Sequence, residues 1–354
     1  IASCLVGSEM CIRDRLRTAL HKVESIMPAS HRFCIAPMME WTDRHYRYLA
    51  RLMSQQTFLY TEMVTSLALI HGDRSRFLAY NQEEHPVALQ LGGNQAKQMA
   101  QAAEWGAEAG FDEININIGC PSDRVQAGGF GAYLMREPTR VADCVHAMKA
   151  VTETPITVKC RLGVDDDDSY AFFRDFVAEV AEAGCELFVV HARKALLKGL
   201  SPKQNREIPE LQYDKVYRIK QEFPNLEIIL NGGVKSIPEM QQHLSQVDGV
   251  MIGREAYKHP QFLLDIDQAL FDQPGPDRNL IDVVQLYCRY MEVNLEQGVP
   301  LNAMAKHLLS LFQGVPGAKL WRRHLSEHIH QAGANVAVIE EALTLLQEDT
   351  ADID

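Results

Sequence analysis

The chain has 354 residues, 46% of them hydrophobic, and a formal net charge of −12. That length holds a large domain plus a smaller one, and the acidic balance excludes a protein that coats nucleic acid indiscriminately. No run approaches the roughly 20 consecutive apolar residues of a membrane span, and eight cysteines without CxxC spacing form neither a disulfide framework nor a metal site.

In chain order, the opening stretch "IASCLVGSEMCIRDRLRTAL" reads unlike the rest. Its apolar run is too short and too interrupted by Glu9 for a secretory signal. Residues 1–29 are expected to be foreign to the fold, ahead of a natural start near Met27. From residue 32, short runs rich in β-branched residues alternate with helical periodicity. The predicted strands are 32–38, 57–63, 86–92, 113–119, 155–161, 186–192, 227–233 and 249–254. Helices are expected between them, such as 94–110 and 169–184, the latter opening on a Ser cap and closing on Gly. Eight β units with intervening helices are the arithmetic of a (β/α)8 TIM barrel, placed at residues 30–272. An open doubly wound sheet would show a glycine-rich fingerprint after its first strand, and "APMMEWTD" has none. After the Pro/Gly-bearing "FDQPGPDRN" the strand signal stops, and residues 273–354 read as a small C-terminal helical domain.

Barrel enzymes place chemistry at the C-terminal ends of their strands. Those positions here hold Pro37, Met38 and Met39, Glu62, Gln90, Asn117 with Cys120, Lys159 with Arg161, His191, Asn231 to Gly233, and Gly253 with Arg254. The glycine-bearing turns "NGGV" and "IGRE" let backbone N–H groups approach a phosphate, with Arg254 adding charge. Lys159 is either a Schiff-base nucleophile or a cation set against an electron-rich ring. Gln90 and His191 suit the polar edge of an isoalloxazine ring. Cys120, on a turn between Gly119 and Pro121, suits a proton donor opposite a flavin, and Asn117 suits the edge of a pyrimidine. Cys34, Cys160 and Cys185 read as packing residues. Two basic stretches stand out from the acidic whole. Residues 191–206 carry Arg193, Lys194, Lys198, Lys203 and Arg206, and residues 318–330 carry Lys319, Arg322 and Arg323.

Taken in order and spacing, "APMMEWTDRHYR", "INIGCPS", "KCRLG", "HAR", "NGGV" and "IGRE" resemble the tRNA-dihydrouridine synthases. The stretch "HARKALLKGLSPKQNREIPELQY" resembles their A-type subfamily. The likeness runs from about residue 30 to the C-terminus. It implies reduction of a D-loop uridine, at positions 20 and 20a, to 5,6-dihydrouridine. NADPH would reduce a bound FMN, hydride would pass from flavin N5 to C6, and Cys120 would protonate C5. It also implies FMN contacts from Pro37, Met38, Met39, Gln90, Lys159, His191, Asn231, Gly232, Gly233, Gly253 and Arg254. Asn117 would touch the uridine, and Lys203, Arg206, Lys319 and Arg322 would touch tRNA. A cytoplasmic monomer, without metal or membrane attachment, is expected. Rival readings are a small-molecule flavoenzyme, which has no use for the Lys319–Arg323 cluster, a Schiff-base aldolase built on Lys159, and a non-catalytic RNA-binding protein indifferent to the thiol.

Overall fold

The structure, a computed structural model, describes residues 30–351, so the expectation for residues 1–29 lies outside the described residues. Nine parallel strands form one sheet: β1 (Phe33–Ile35), β2 (Leu59–Tyr60), β3 (Val64–Thr65), β4 (Val87–Gly92), β5 (Glu113–Ile118), β6 (Ile156–Arg161), β7 (Leu187–His191), β8 (Glu227–Asn231) and β9 (Gly249–Ile252). Their order is β1-β9-β8-β7-β6-β5-β4-β2, with β3 also paired to β4. The ring closes where Ile35 N–H donates to Phe58 O and Phe58 N–H to Phe33 O, both at 3.0 Å. This is the expected (β/α)8 barrel, eight strand positions with the second shared by β2 and β3.

That sharing departs from the single strand expected over 57–63. The hydroxyl of Thr61 accepts the Gln90 N–H at 3.0 Å and donates to Glu62 O at 2.8 Å. A ladder hydrogen bond is thereby diverted to a side chain, and the chain leaves the sheet until Val64.

Helices α1 (Arg44–Met53), α2 (Ala96–Glu108), α3 (Pro138–Lys149), α4 (Tyr170–Glu182), α5 (Tyr213–Glu222), α6 (Ile237–Leu244) and α7 (Leu263–Phe271) follow the strands. The predicted cap of α4 is present, with Ser169 Oγ accepting Phe172 N–H at 3.1 Å. Strand alternation sends one set of side chains outward to these helices and the other into the barrel. On β5, Ile114, Ile116 and Ile118 join the large outer core, while the inward layer has an apolar side made by Cys34, Ala36, Phe58, Tyr60, Ala88, Leu187, Val189, Ile229 and Met251.

Beyond Asn279, whose side chain accepts the N–H groups of Ile281 and Asp282, come α8 (Leu280–Glu296), α9 (Ala318–His328) and α10 (Ala337–Ala351). Helix α8 lies on α1, where Tyr290 OH and His45 Nδ1 are 2.7 Å apart. Asp43 is the hub of this contact. It caps α1 through the N–H groups of His45 and Tyr46, and it receives Lys306 Nζ at 2.8 Å and His307 Nε2 at 2.9 Å. Lys306 also donates to the backbone carbonyl of Glu40 at 3.1 Å, in the loop after β1.

At the N-terminal end of the barrel, His31 stacks on Phe58 with ring centroids 4.1 Å apart. Its nitrogens lie 2.7 Å from Glu113 Oε2 and 3.1 Å from Glu227 Oε1. Burial pulls the imidazolium down, but the two carboxylates prevail and hold it up at about 9. A group raised in the fold stabilises fully below its unfolded value near 6.5 and loses that contribution as pH climbs through 9. Replacing His31 by Gln is therefore expected to cost about 3 kcal/mol near pH 6, shrinking towards zero by about pH 10. Urea denaturation of both proteins across this range measures it, and a pH-independent difference would contradict it.

Candidate active site

The strands deliver their polar ends into one cavity of about 1020 Å³ at the C-terminal mouth of the barrel. Every residue expected to hold the cofactor lines it, from Pro37, Met38 and Met39 through Gln90, Lys159, His191 and Asn231 to Gly232, Gly233, Gly253 and Arg254. Asn117, Cys120 and Arg206 line it too, whereas Lys203, Lys319 and Arg322 lie outside it. Its wall carries Lys159, Arg161, Arg193, Arg206, Lys235, Arg254 and Lys258 against Glu40, Glu207 and Glu255. In a chain of net charge −12, that local excess of cations suits a phosphorylated ligand.

Cys120 follows β5 on a loop held from three directions. Asn117 Oδ1 accepts the N–H groups of Gly119 at 3.0 Å and Cys120 at 2.9 Å. The buried Arg161 guanidinium donates to Gly119 O at 2.9 Å, and to the carbonyls of Lys194 and Asn205, both at 3.0 Å. Gln126 Nε2 donates to Pro121 O and Leu197 O, both at 2.8 Å. The last two clasp the cysteine loop to the basic loop that carries Lys203 and Arg206. Cys120 Sγ lies 3.4 Å from Ser122 Oγ. Among the described cysteines it alone is not buried; Cys34, Cys144, Cys160, Cys185 and Cys288 are all packed in the interior. Burial pushes the thiols of Cys144 and Cys160 up to about 11 and about 12, which suits them to packing.

Asn117 is narrower than the sequence reading allowed. Its oxygen is spent on two backbone N–H groups and one of its amide protons goes to Gln90 Oε1 at 2.8 Å. One proton remains, so it can donate to a pyrimidine carbonyl but cannot accept from a ring N–H.

On the neighbouring strand β6, in register with Asn117, Lys159 Nζ donates to Asn231 Oδ1 at 2.9 Å, and Asn231 Nδ2 donates to Met251 O at 2.7 Å. Burial, helped by the Arg161 charge, pulls the Lys159 ammonium down to about 7. Burial and the nearby Arg161 and Lys159 charges likewise keep His191 well below its ordinary value, so it acts as a neutral donor or acceptor. Gly232 and Gly233 adopt φ of 111° and 80°, and a Cβ on them would sit 2.6 Å from His191 Cδ2 and 2.5 Å from Leu211 Cδ1. Only glycine serves there. At Gly253 a Cβ would make only ordinary contacts, with Met38 Sδ at 3.5 Å and Ala36 Cβ at 3.6 Å, so that position does not demand glycine. A half-buried cation with a single amide partner and a glycine turn on the wall of one cavity together fit a phosphorylated flavin.

The other expected residues are placed as follows. Met39 is 59% exposed at the lip of the cavity. Arg254 pairs with Glu207 and leans on Arg206 O, so its charge is shared before any phosphate arrives. Lys203 and Arg206 are exposed on a turn above the mouth, and Lys319 and Arg322 are exposed one helical turn apart on α9. Sequence reading assigned no role to Arg161, Ser122 or Gln126. Ser122 stood in the "GCPS" motif, but nothing in the sequence ties Gln126 to residue 197 or Arg161 to residues 119 and 205.

The family model for dihydrouridine synthases matches residues 34–348. A tRNA-dihydrouridine(20/20a) synthase of Vibrio cholerae is 57% identical over 318 residues, covering 90% of this chain and 97% of that protein. Proteins of the same name from Salmonella typhi and Escherichia coli K12 are 54% and 53% identical. The alignments cover 92% and 90% of this chain, and 97% and 92% of those relatives.

Proposed function

The chain belongs to the dihydrouridine synthase family, flavoenzymes that reduce uridine to dihydrouridine in tRNA; from that premise we propose that it acts on uridines 20 and 20a of the D-loop, with FMN in the barrel mouth and NADPH as reductant. The observation that carries the reading is one cavity lined by a thiol, a lysine and a glycine turn, with cations in excess. When bound, the flavin supplies the hydride that the uracil ring takes up at C6. The chain's own residues do the rest. Lys159 and the turn of Gly232 and Gly233 hold an anionic cofactor, and the neutral His191 and the free proton of Gln90 orient its polar edge. Asn117 donates to a uracil carbonyl. Cys120 Sγ gives its proton to C5, and the Ser122 hydroxyl, 3.4 Å away, can turn to donate to the thiolate that remains.

A uridine stacked inside folded tRNA must be extruded to reach this depth. Lys203 and Arg206 at the mouth, with Lys319 and Arg322 on α9, hold the backbone while the cavity takes one base. The protein works as a cytoplasmic monomer. Among the described residues no helix is long and apolar enough to cross a membrane, and no cluster of potential metal ligands occurs.

A visible absorption spectrum of the purified protein, followed by mapping of dihydrouridine in treated tRNA, tests the assignment. A flavin spectrum with new dihydrouridine at 20 and 20a is expected; a colourless protein or unmodified tRNA would overturn it. The double variant Lys319→Glu, Arg322→Glu is expected to weaken tRNA binding about 10- to 100-fold at moderate salt and to flatten the salt dependence, with the flavin spectrum unchanged. Unchanged affinity in a filter-binding titration would remove α9 from the interface.

A further inference from the structure

A parallel barrel ordinarily fills its interior with apolar layers. Here the inward positions of β4, β5 and β6 hold Gln90, Glu113, Asn115, Asn117, Thr157 and Lys159 instead. Hydrogen bonds join all of these but Lys159 in a line. Thr157 Oγ1 donates to Glu113 Oε1 at 2.6 Å, and Asn115 Nδ2 donates to Thr157 Oγ1 at 2.8 Å. Gln90 Nε2 donates to Asn115 Oδ1 and Asn117 Nδ2 to Gln90 Oε1, both at 2.8 Å. The line ends on Asn117 Oδ1, which accepts the N–H groups of Gly119 and Cys120. Glu113, Asn115, Gln90 and Thr157 are each at most 3% exposed, so water does not offer them alternative partners.

Direction matters in such a line. A primary amide can present either end to a neighbour, but an ionised carboxylate only accepts. Glu113, held by His31 at 2.7 Å, therefore takes the Thr157 proton. The Thr157 oxygen must then receive the NH2 of Asn115, whose oxygen receives Gln90, whose oxygen receives Asn117. We propose that Glu113, Thr157 and Asn115 are positioning residues which, from about 7 to 13 Å below Asn117, fix which way the Gln90 and Asn117 amides point and so hold the loop of Cys120. Turned the other way, Asn117 would present its NH2 to two backbone N–H groups, and the loop would lose its anchor.

The proposal rests on the assignment of Cys120 as proton donor, and its test separates the two. Thr157→Val removes the hydroxyl at nearly constant shape. It is expected to lower uridine turnover at saturating tRNA about tenfold, with KM for tRNA within about twofold, while Thr157→Ser restores turnover. In the flavin-free protein, alkylation of Cys120 by iodoacetamide, followed by peptide mass, should quicken about tenfold in the Val variant and not in the Ser variant. Wild-type turnover and alkylation in Thr157→Val would overturn the proposal, as would a Ser variant that behaves like Val. Asn115→Asp, which keeps the size but removes the donor, should give the same split. Should neither variant fold, the wild-type protein labelled with 15N in its side-chain amides still decides. Slow deuterium exchange at Asn115, Gln90 and Asn117 supports the line, and exchange as fast as at exposed amides overturns it. A wild-type protein that leaves uridine unreduced would refute the functional assignment, while alkylation and exchange would still judge the line itself.

Discussion

Cys120→Ala should yield a protein that binds flavin and oxidises NADPH at close to the wild-type rate, yet reduces uridine about 10³-fold more slowly. The loss is confined to one half-reaction because the thiol lies on the loop after β5, whereas Lys159, Asn231, Gly232 and Gly233 belong to β6 and the end of β8. No other described thiol can replace it, since the remaining described cysteines are buried, and the Ser122 hydroxyl, 3.4 Å away, is a far weaker acid. Rapid-mixing measurements of flavin reduction and reoxidation, with dihydrouridine counted by nucleoside mass spectrometry, separate the steps. Reoxidation by tRNA at the wild-type rate in the variant would remove Cys120 from the chemistry.

Lys159→Met is expected to strike the opposite half of the site. The wild-type ammonium is pulled down to about 7 by burial, with Asn231 as its hydrogen-bond partner. An anionic ligand relieves that cost, so cofactor and proton bind together. Cofactor affinity in the wild type should therefore be nearly constant below pH 7 and fall, up to tenfold per unit, as pH rises above it. The Met variant keeps the bulk and loses the charge; it should bind flavin about 10- to 100-fold more weakly and show no such pH dependence. Fluorescence titration of the flavin-free protein at several pH values reads both effects. A wild-type affinity flat from pH 6 to 9 would show that Lys159 carries no charge-linked role.

Much of this was legible in the sequence because strand period and strand polarity carry it. The apolar runs marked all eight strand positions of the barrel, and the residues ending them, Glu62 aside, converge on one cavity. The helices over 94–110 and 169–184 were visible from periodicity and, for the second, from Ser169. What escaped were pairings between distant parts of the chain. Glu113 reads as an unremarkable strand start until the fold brings His31 and Thr157 against it. Arg161 reads as a strand-end cation until residues 119, 194 and 205 meet it. Arg254 reads as a free phosphate ligand until Glu207 is set beside it. The split between β2 and β3 was hidden for another reason: a single hydroxyl, on Thr61, competes with the sheet for the Gln90 N–H, and hydrophobic patterning does not register such competition.

The contact of Lys306 and His307 with residues 40–43 bears on how substrate preference can be inherited. A C-terminal tail transplanted from a relative with a different target would arrive without its matched partners at Glu40 and Asp43. It would then disturb the lip bearing Met38 and Met39 along with the contact proposed between α9 and RNA. Tail and lip have to be exchanged together, as one cassette whose boundaries run across the cylinder and not along the chain.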